Sequence, residues 1–100
     1  MPAPRSLALV LAAAAAFAVP ALAADGPAHY RAELSAPAAK PQVVAGGLLW
    51  RCEGTECRAA KDNSRPLTVC RKLARETAAI VRFSAAGEEL PADELTRCNG

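Results

Sequence analysis

Residues 50–59 read WRCEGTECRA and hold two of the chain's four cysteines, with four residues between them. Gly54-Thr55 suits a two-residue hairpin loop, and glycine at the first central position favours a type II′ turn. Glu53 then faces Glu56 as the closing hydrogen-bonded pair. Cys52 faces Cys57 at the next, non-hydrogen-bonded pair, where alpha carbons approach most closely. That separation lies near the short end of the range a disulfide accepts. The alternation agrees: Trp50, Cys52, Cys57 and Ala59 share one face, and Arg51, Glu53, Glu56 and Arg58 the other. Opposed glutamates repel, and the neighbouring arginines offset this. The stretch therefore predicts a stapled hairpin. A zinc clip or a redox pair would need other spacings. Zinc sites repeat cysteine or histidine pairs two to four residues apart, whereas Cys70 and Cys98 stand alone and the single histidine is His29. A thioredoxin-like motif has two residues between its cysteines.

The N-terminus says where such a staple would form. Met1 to Arg5 carries one positive charge, Ser6 to Val19 is uncharged and apolar, Pro20 breaks the run, and Ala21-Leu22-Ala23 offers small residues for cleavage. This is the layout of a Sec-type secretory signal peptide cut after Ala23, which predicts a periplasmic protein. The run is shorter than the roughly 20 residues a spanning helix needs, so no stable membrane insertion is expected after cleavage. No cysteine follows the cut, so a lipid anchor there is not expected either.

Loss of residues 1–23 from 100 leaves 77, and removes only Arg5 from 12 lysines and arginines against 10 aspartates and glutamates. The formal charge falls from +2 to +1. A balance this even gives no reason to expect nucleic acid or an anionic membrane as partner. A chain of this length buries a modest core and commonly needs staples, and in an oxidising compartment four cysteines supply them. Four cysteines allow three pairings.

Outward from the hairpin, Tyr30, Ala32 and Leu34 alternate in a short strand. Residues 35–41 (SAPAAKP) read as a linker or extended loop. Val43-Val44 precedes Gly46-Gly47, a break or bulge before the hairpin. In the polar loop of residues 61–65, Ser64 is an N-cap candidate, with Pro66 just inside the helix that follows. Leu67, Cys70, Leu73, Ala74 and Thr77 recur at helical spacing and predict a helix from about Pro66 to Ala79. Val81 and Phe83 alternate with Arg82 and Ser84 as a strand, Leu90 follows as a short strand, and Pro91 opens a terminal helix to about Arg97. Cys70 lies on the apolar stripe and Cys98 ends the last helix, so by elimination they pair. The expected fold is α+β: a disulfide-stapled hairpin with one or two further short strands, packed on one main helix and a short C-terminal helix. The expected division is residues 1–23 as signal, 24–41 as an N-terminal segment with a possible strand, and 42–100 as the stapled domain.

Catalytic chemistry is not expected. Nucleophilic catalysis needs a Ser or Cys with a positioned base, and His29, near a mobile terminus, reads as an exposed residue. Glu88-Glu89 and Asp93-Glu94 are adjacent carboxylates that diverge on a strand or helix. The latter two suit a helix N-terminus. No phosphate loop, metal motif or cofactor signature occurs. What remains is a periplasmic interaction module facing an envelope protein or, alternatively, a small ligand-binding or inhibitor-like mini-domain. Arg65, Arg71, Lys72 and Arg75 lie off the apolar stripe and form a candidate interaction surface. Their plainer reading is a solvated helix face. Trp50 is either a contact residue or a core anchor, and small domains need aromatic burial.

Tyr30 to Leu34, Pro37, Leu48 to Cys57 (LLWRCEGTEC), Ser64 to Pro66 (SRP), Cys70, Leu73 to Glu76 (LARE) and Arg97 to Asn99 (RCN) together resemble a family of small exported alphaproteobacterial proteins of uncharacterised function. The resemblance covers nearly all of the chain beyond the signal, and WRCEG with the spaced cysteines is its most specific part. It implies a periplasmic location and carries no activity, ligand or catalytic residue.

Overall fold

The hairpin forms in the register its alternation demands. In a computed structural model that describes residues 28–100, β3 (Leu48–Glu53) pairs with β4 (Glu56–Ala59), Cys52 opposite Cys57 and Glu53 opposite Glu56. Gly54 takes φ +62 while Thr55 stays out of the left-handed region, as a type II′ turn requires. The Cys52 and Cys57 alpha carbons lie 4.0 Å apart and their sulfurs are bonded. Trp50, Cys52, Cys57 and Ala59 are buried; Arg51, Glu53 and Glu56 are exposed. The expected signal segment and the cut after Ala23 lie outside the described residues.

The class is α+β as expected, with more strands than the sequence pattern suggested. β1 (Tyr30–Leu34), β2 (Gln42–Ala45), β5 (Ile80–Ala85) and β6 (Glu88–Glu89) join the hairpin in a six-stranded antiparallel sheet of order β2-β3-β4-β1-β5-β6. Two helices, α1 (Pro66–Glu76) and α2 (Ala92–Asn99), complete the described elements. β1 was expected in a segment preceding the stapled domain. It lies inside the sheet between β4 and β5, and Tyr30, Ala32 and Leu34 are all in the core. The loop after it is also tied to the hairpin: Ala38 N–H donates to Gly54 O at 2.9 Å and Cys52 N–H to Pro41 O at 2.8 Å.

Four local expectations change. Val43-Val44 is strand, because Gly46 and Gly47 take φ +61 and +81 and make a tight turn into β3 rather than a break. The cap of α1 is Arg65, whose extended backbone precedes Pro66, and no side chain caps the helix. Ser64 instead donates its N–H to the Asp62 carboxylate at 3.2 Å, an Asx-type turn that satisfies the loop. The helix stops at Glu76, three residues early, where Thr77 leaves helical geometry and sends both its N–H and its Oγ1 to Leu73 O. In β5, Ile80 and Phe83 are buried while Val81 is 47% exposed. The pairing with β1 jumps from Glu33↔Arg82 to Leu34↔Ile80, so Val81 is the extra residue of a bulge, and a period-two reading starting there fails. At the chain end Leu90 is not strand, and α2 runs to Asn99.

The core occupies one face of the sheet. Tyr30, Trp50 and Phe83 form a triangle with ring centroids 5.9–6.1 Å apart, within the favourable range for aromatic pairs. α1 covers β2 and β5, α2 covers β5, and the helices pack on each other. Val69, Cys70 and Leu73 of α1 and Cys98 of α2 enter the core. Cys70 and Cys98 are disulfide-bonded, so both expected pairs close and no described cysteine is free. That leaves no thiolate for a zinc site. Trp50 is fully buried, the core anchor of the two readings, and its indole N–H finds no acceptor.

The three residues of the terminal RCN all fasten this core. Arg97 O accepts from Arg71 Nε at 3.2 Å. Cys98 carries the bridge. Asn99 Oδ1 accepts from Ile80 N–H and its Nδ2 donates to Ile80 O, both at 2.8 Å, so the amide mimics a neighbouring strand.

Candidate interaction surfaces

Arg65, Arg71, Lys72 and Arg75 all lie on or at the start of α1, off the Val69–Cys70–Leu73 stripe. Two of them have structural partners. Arg71 closes the end of α2 through Arg97 O, a favourable place for a cation. The Lys72 stem lies directly over Gly46, where a Cβ would collide with its Cδ, and its charge lowers the Asp62 pKa as a minor contribution. Arg65 and Arg75 are exposed.

The larger charged surface is the opposite face of the sheet, which no described helix covers. Outward positions on a strand are two residues apart. In β1 they are Arg31 and Glu33, in β3 Arg51 and Glu53, and in β4 Glu56 and Arg58. Because β4 runs antiparallel to both neighbours, its reversed order E-x-R lines up with their R-x-E. Arg51↔Arg58↔Arg31 form one row and Glu53↔Glu56↔Glu33 the next. The rows lie about 7 Å apart, two residues of strand. Sequence reasoning singled out the arginines and glutamates of the hairpin but missed the rows. The repeated R-x-E was the signal, and it needed the placement of β1 to become legible.

Directly opposed like charges are unfavourable, and diagonal ion pairs offset them. Arg31 reaches Glu56 at 3.7 Å and Arg58 reaches Glu53 at 3.9 Å, all on the sheet's exposed face. Glu33 accepts from Thr55 Oγ1 at 3.3 Å. Beyond the glutamate row Arg82 sits opposite Glu33 and bonds Glu89 at 2.8 Å, which raises the Arg82 pKa further. A depression of about 210 Å³ opens here, lined by Arg31, Glu33, Glu56, Arg82, Ser84 and Glu89 among others. It is smaller than the roughly 300–1,000 Å³ of typical small-molecule sites.

The remaining candidates for chemistry lie apart. His29, expected as an exposed residue at a loose terminus, is half-buried. Its ring meets Tyr30 edge-on at 4.6 Å, its N–H donates to Ala59 O, and its O accepts from Ala86 N–H. Asp93 pairs with Arg97 at 3.6 Å one turn on. The Asp62 carboxyl is held below its ordinary value, mainly by its hydrogen bonds with Ser64. Among the described residues no group of His, Cys, Asp and Glu could hold a metal ion, and no helix is long and apolar enough to cross a membrane.

No curated protein and no solved structure matches the chain. A family model does, over residues 10–100, nearly the whole of the sequence. The chain belongs to that family, a family of unknown function designated DUF8200.

Proposed function

We propose that this protein is an exported, periplasmic interaction module without catalytic chemistry, and that the banded outer face of its sheet meets another envelope protein. The observation that carries this reading is the alignment of three arginines beside three glutamates on β3, β4 and β1. Each directly opposed like pair costs the fold about 0.2–1 kcal/mol, and a surface built only for solubility would alternate the signs. Nucleic acid or an anionic lipid surface would select one sign; a face with a positive and a negative band fits a protein surface carrying the inverse bands. The secretory layout of residues 1–23 and two closed disulfides support export to an oxidising compartment. The ligand-binding alternative has the depression beside Arg82 as its only support, and its volume is small for that role.

The test is site-specific photo-crosslinking in the periplasm of the native cell, with the probe at Arg31 or Glu53 and, in a second strain, at Arg75. A discrete adduct from the sheet positions, lost on Arg58→Glu, supports the reading. An adduct from Arg75 alone moves the contact to α1. N-terminal sequencing of the same material should begin at Ala24; retention of Met1 with fractionation in the inner membrane defeats the localisation.

A further inference from the structure

The sheet has two unlike edges. β6 is two residues long and both are glutamate, which is how an edge is kept from pairing with another chain. β2 is four residues, QVVA, with no charge. Val44 is 63% exposed and its cross-strand partner Leu49 is 44% exposed, which places two large apolar side chains together on the outer face at that edge. Among the described residues no strand lies beyond β2.

The direction of the backbone groups follows from the turn. A two-residue loop makes Ala45↔Leu48 the closing hydrogen-bonded pair, and such pairs recur at alternate residues. Ala45 and Val43 therefore bond to β3, and the Cys52 N–H to Pro41 O bond continues that phase at 2.8 Å. Gln42 and Val44 consequently turn their N–H and C=O groups away from β3, toward the open edge. Only another strand supplies donors and acceptors at this spacing.

We propose that the occupant is a second copy of this chain: two β2 strands pair antiparallel about a two-fold axis at Val43, each Gln42 opposite the second copy's Val44, and extend one sheet through both molecules. That register engages both outward residues of each strand. It also sets Val43 against its own counterpart on the inner side. The choice of a second copy rests on α1. Arg65, Lys72 and Glu76 fall on one stripe of the helix, seven and four residues apart, and Lys72 of that stripe rests over Gly46 at the end of β2. The stripe is therefore the flank of α1 on the β2 side, and it begins with a cation and ends with an anion. The two-fold axis sets the two helices antiparallel, so each Arg65 approaches the second copy's Glu76. A four-residue seam with one helix flank falls short of the roughly 1,600 Å² of standard interfaces, which makes the dimer reversible.

Sedimentation equilibrium of the oxidised protein purified from periplasm tests this. The apparent mass should rise from one chain toward two between about 10 μM and 1 mM, the range of weak association. Val44→Pro should remain one chain throughout. Its lost N–H faces the edge, so the β2–β3 ladder keeps its bonds. Arg65→Glu should weaken association at least about fivefold, and Arg65→Glu with Glu76→Arg should restore it, since the paired charges are swapped together. A wild-type protein that stays one chain to 1 mM, or a Val44→Pro variant that dimerises like wild type, overturns the proposal. So does an Arg65→Glu variant with unchanged association. Should Val44→Pro fail to fold, amide exchange in the wild type decides: the Val44 N–H slows with concentration if the edges pair and is indifferent to concentration if they do not.

Discussion

Cys70→Ala combined with Cys98→Ala should destabilise the protein more than Cys52→Ala combined with Cys57→Ala. The first bridge spans a sequence separation of 28, a 29-residue loop counting both cysteines. The second spans a separation of 5, a six-residue loop. Chain-entropy treatment gives about 3.6 kcal/mol for the longer loop and about 2.2 for the shorter. Native packing widens the gap. β3 and β4 are held by four register pairs and a turn whose glycine already adopts the required φ. α2 has eight residues and a single buried one, Cys98 itself. At roughly 4–8 °C per kcal/mol for a domain of this size, the long bridge accounts for about 14–29 °C of melting temperature and the short one for about 9–18 °C. Alanine is preferred to serine because a buried hydroxyl without a partner adds its own penalty. The assay is thermal melting by circular dichroism without reductant, with amide exchange of α2 as a local readout. If the hairpin variant melts as low as the long-bridge variant or lower, the core is centred on the hairpin tip and the reasoning fails.

Asn99→Ala removes both bonds to the Ile80 backbone, leaving a donor and an acceptor unpaired beside a buried residue; a loss of about 2 kcal/mol is expected in urea titration. Ala86, φ +52, is the one described residue other than glycine in the left-handed region, and it sits in the turn between β5 and β6. Ala86→Asn should stabilise by about 0.5–1 kcal/mol, measured the same way, because asparagine tolerates that conformation. Asp62 has a folded-state pKa lowered below 3.8 by its bonds with Ser64. A group with a depressed folded pKa adds stability above its unfolded pKa and loses it as pH falls through the folded one. The fall in melting temperature from about pH 5 to about pH 2.5 should therefore be shallower in Asp62→Asn than in wild type.

How much of this was legible depended on whether a residue's partner was local. The hairpin could be read in full because its register, its turn and its staple are set within ten residues. The Cys70–Cys98 bridge followed by elimination once the hairpin claimed its pair. Val81 was misread because the bulge that exposes it is defined by Leu34, nearly fifty residues earlier, and not by any feature of β5 itself. Ser64 looked like a cap, but Asp62 competes for its N–H from two residues away. β2 was hidden because a pair of glycines ends strands as readily as it turns them, and the positive φ of both decides the matter only in three dimensions. The charge rows needed β1 to be placed against β4, a pairing across more than twenty residues of sequence.

Pairing of the β2 edges would also change what the outer face presents. In one chain the outward rows run from glutamates (Glu33, Glu53, Glu56) through arginines (Arg31, Arg51, Arg58) to the apolar pair Val44 and Leu49. With Gln42 opposite the second copy's Val44, the arginine row of each chain continues into the apolar row of the other. Both arginine rows then flank the two-fold axis, and both glutamate rows lie outermost. The dimer presents a positive middle between two negative margins, where a single chain presents one band of each sign. A partner that engages the dimer therefore needs an acidic centre with basic ends, whereas a partner of the single chain needs only one band of each sign. The two cases separate in the photo-crosslinking experiment. If the dimer is the binding form, Val44→Pro should abolish the adduct formed from Arg31 although position 44 lies outside the arginine and glutamate rows. If the adduct survives Val44→Pro at wild-type yield, the outer face acts as a single chain and β2 pairing serves some other end.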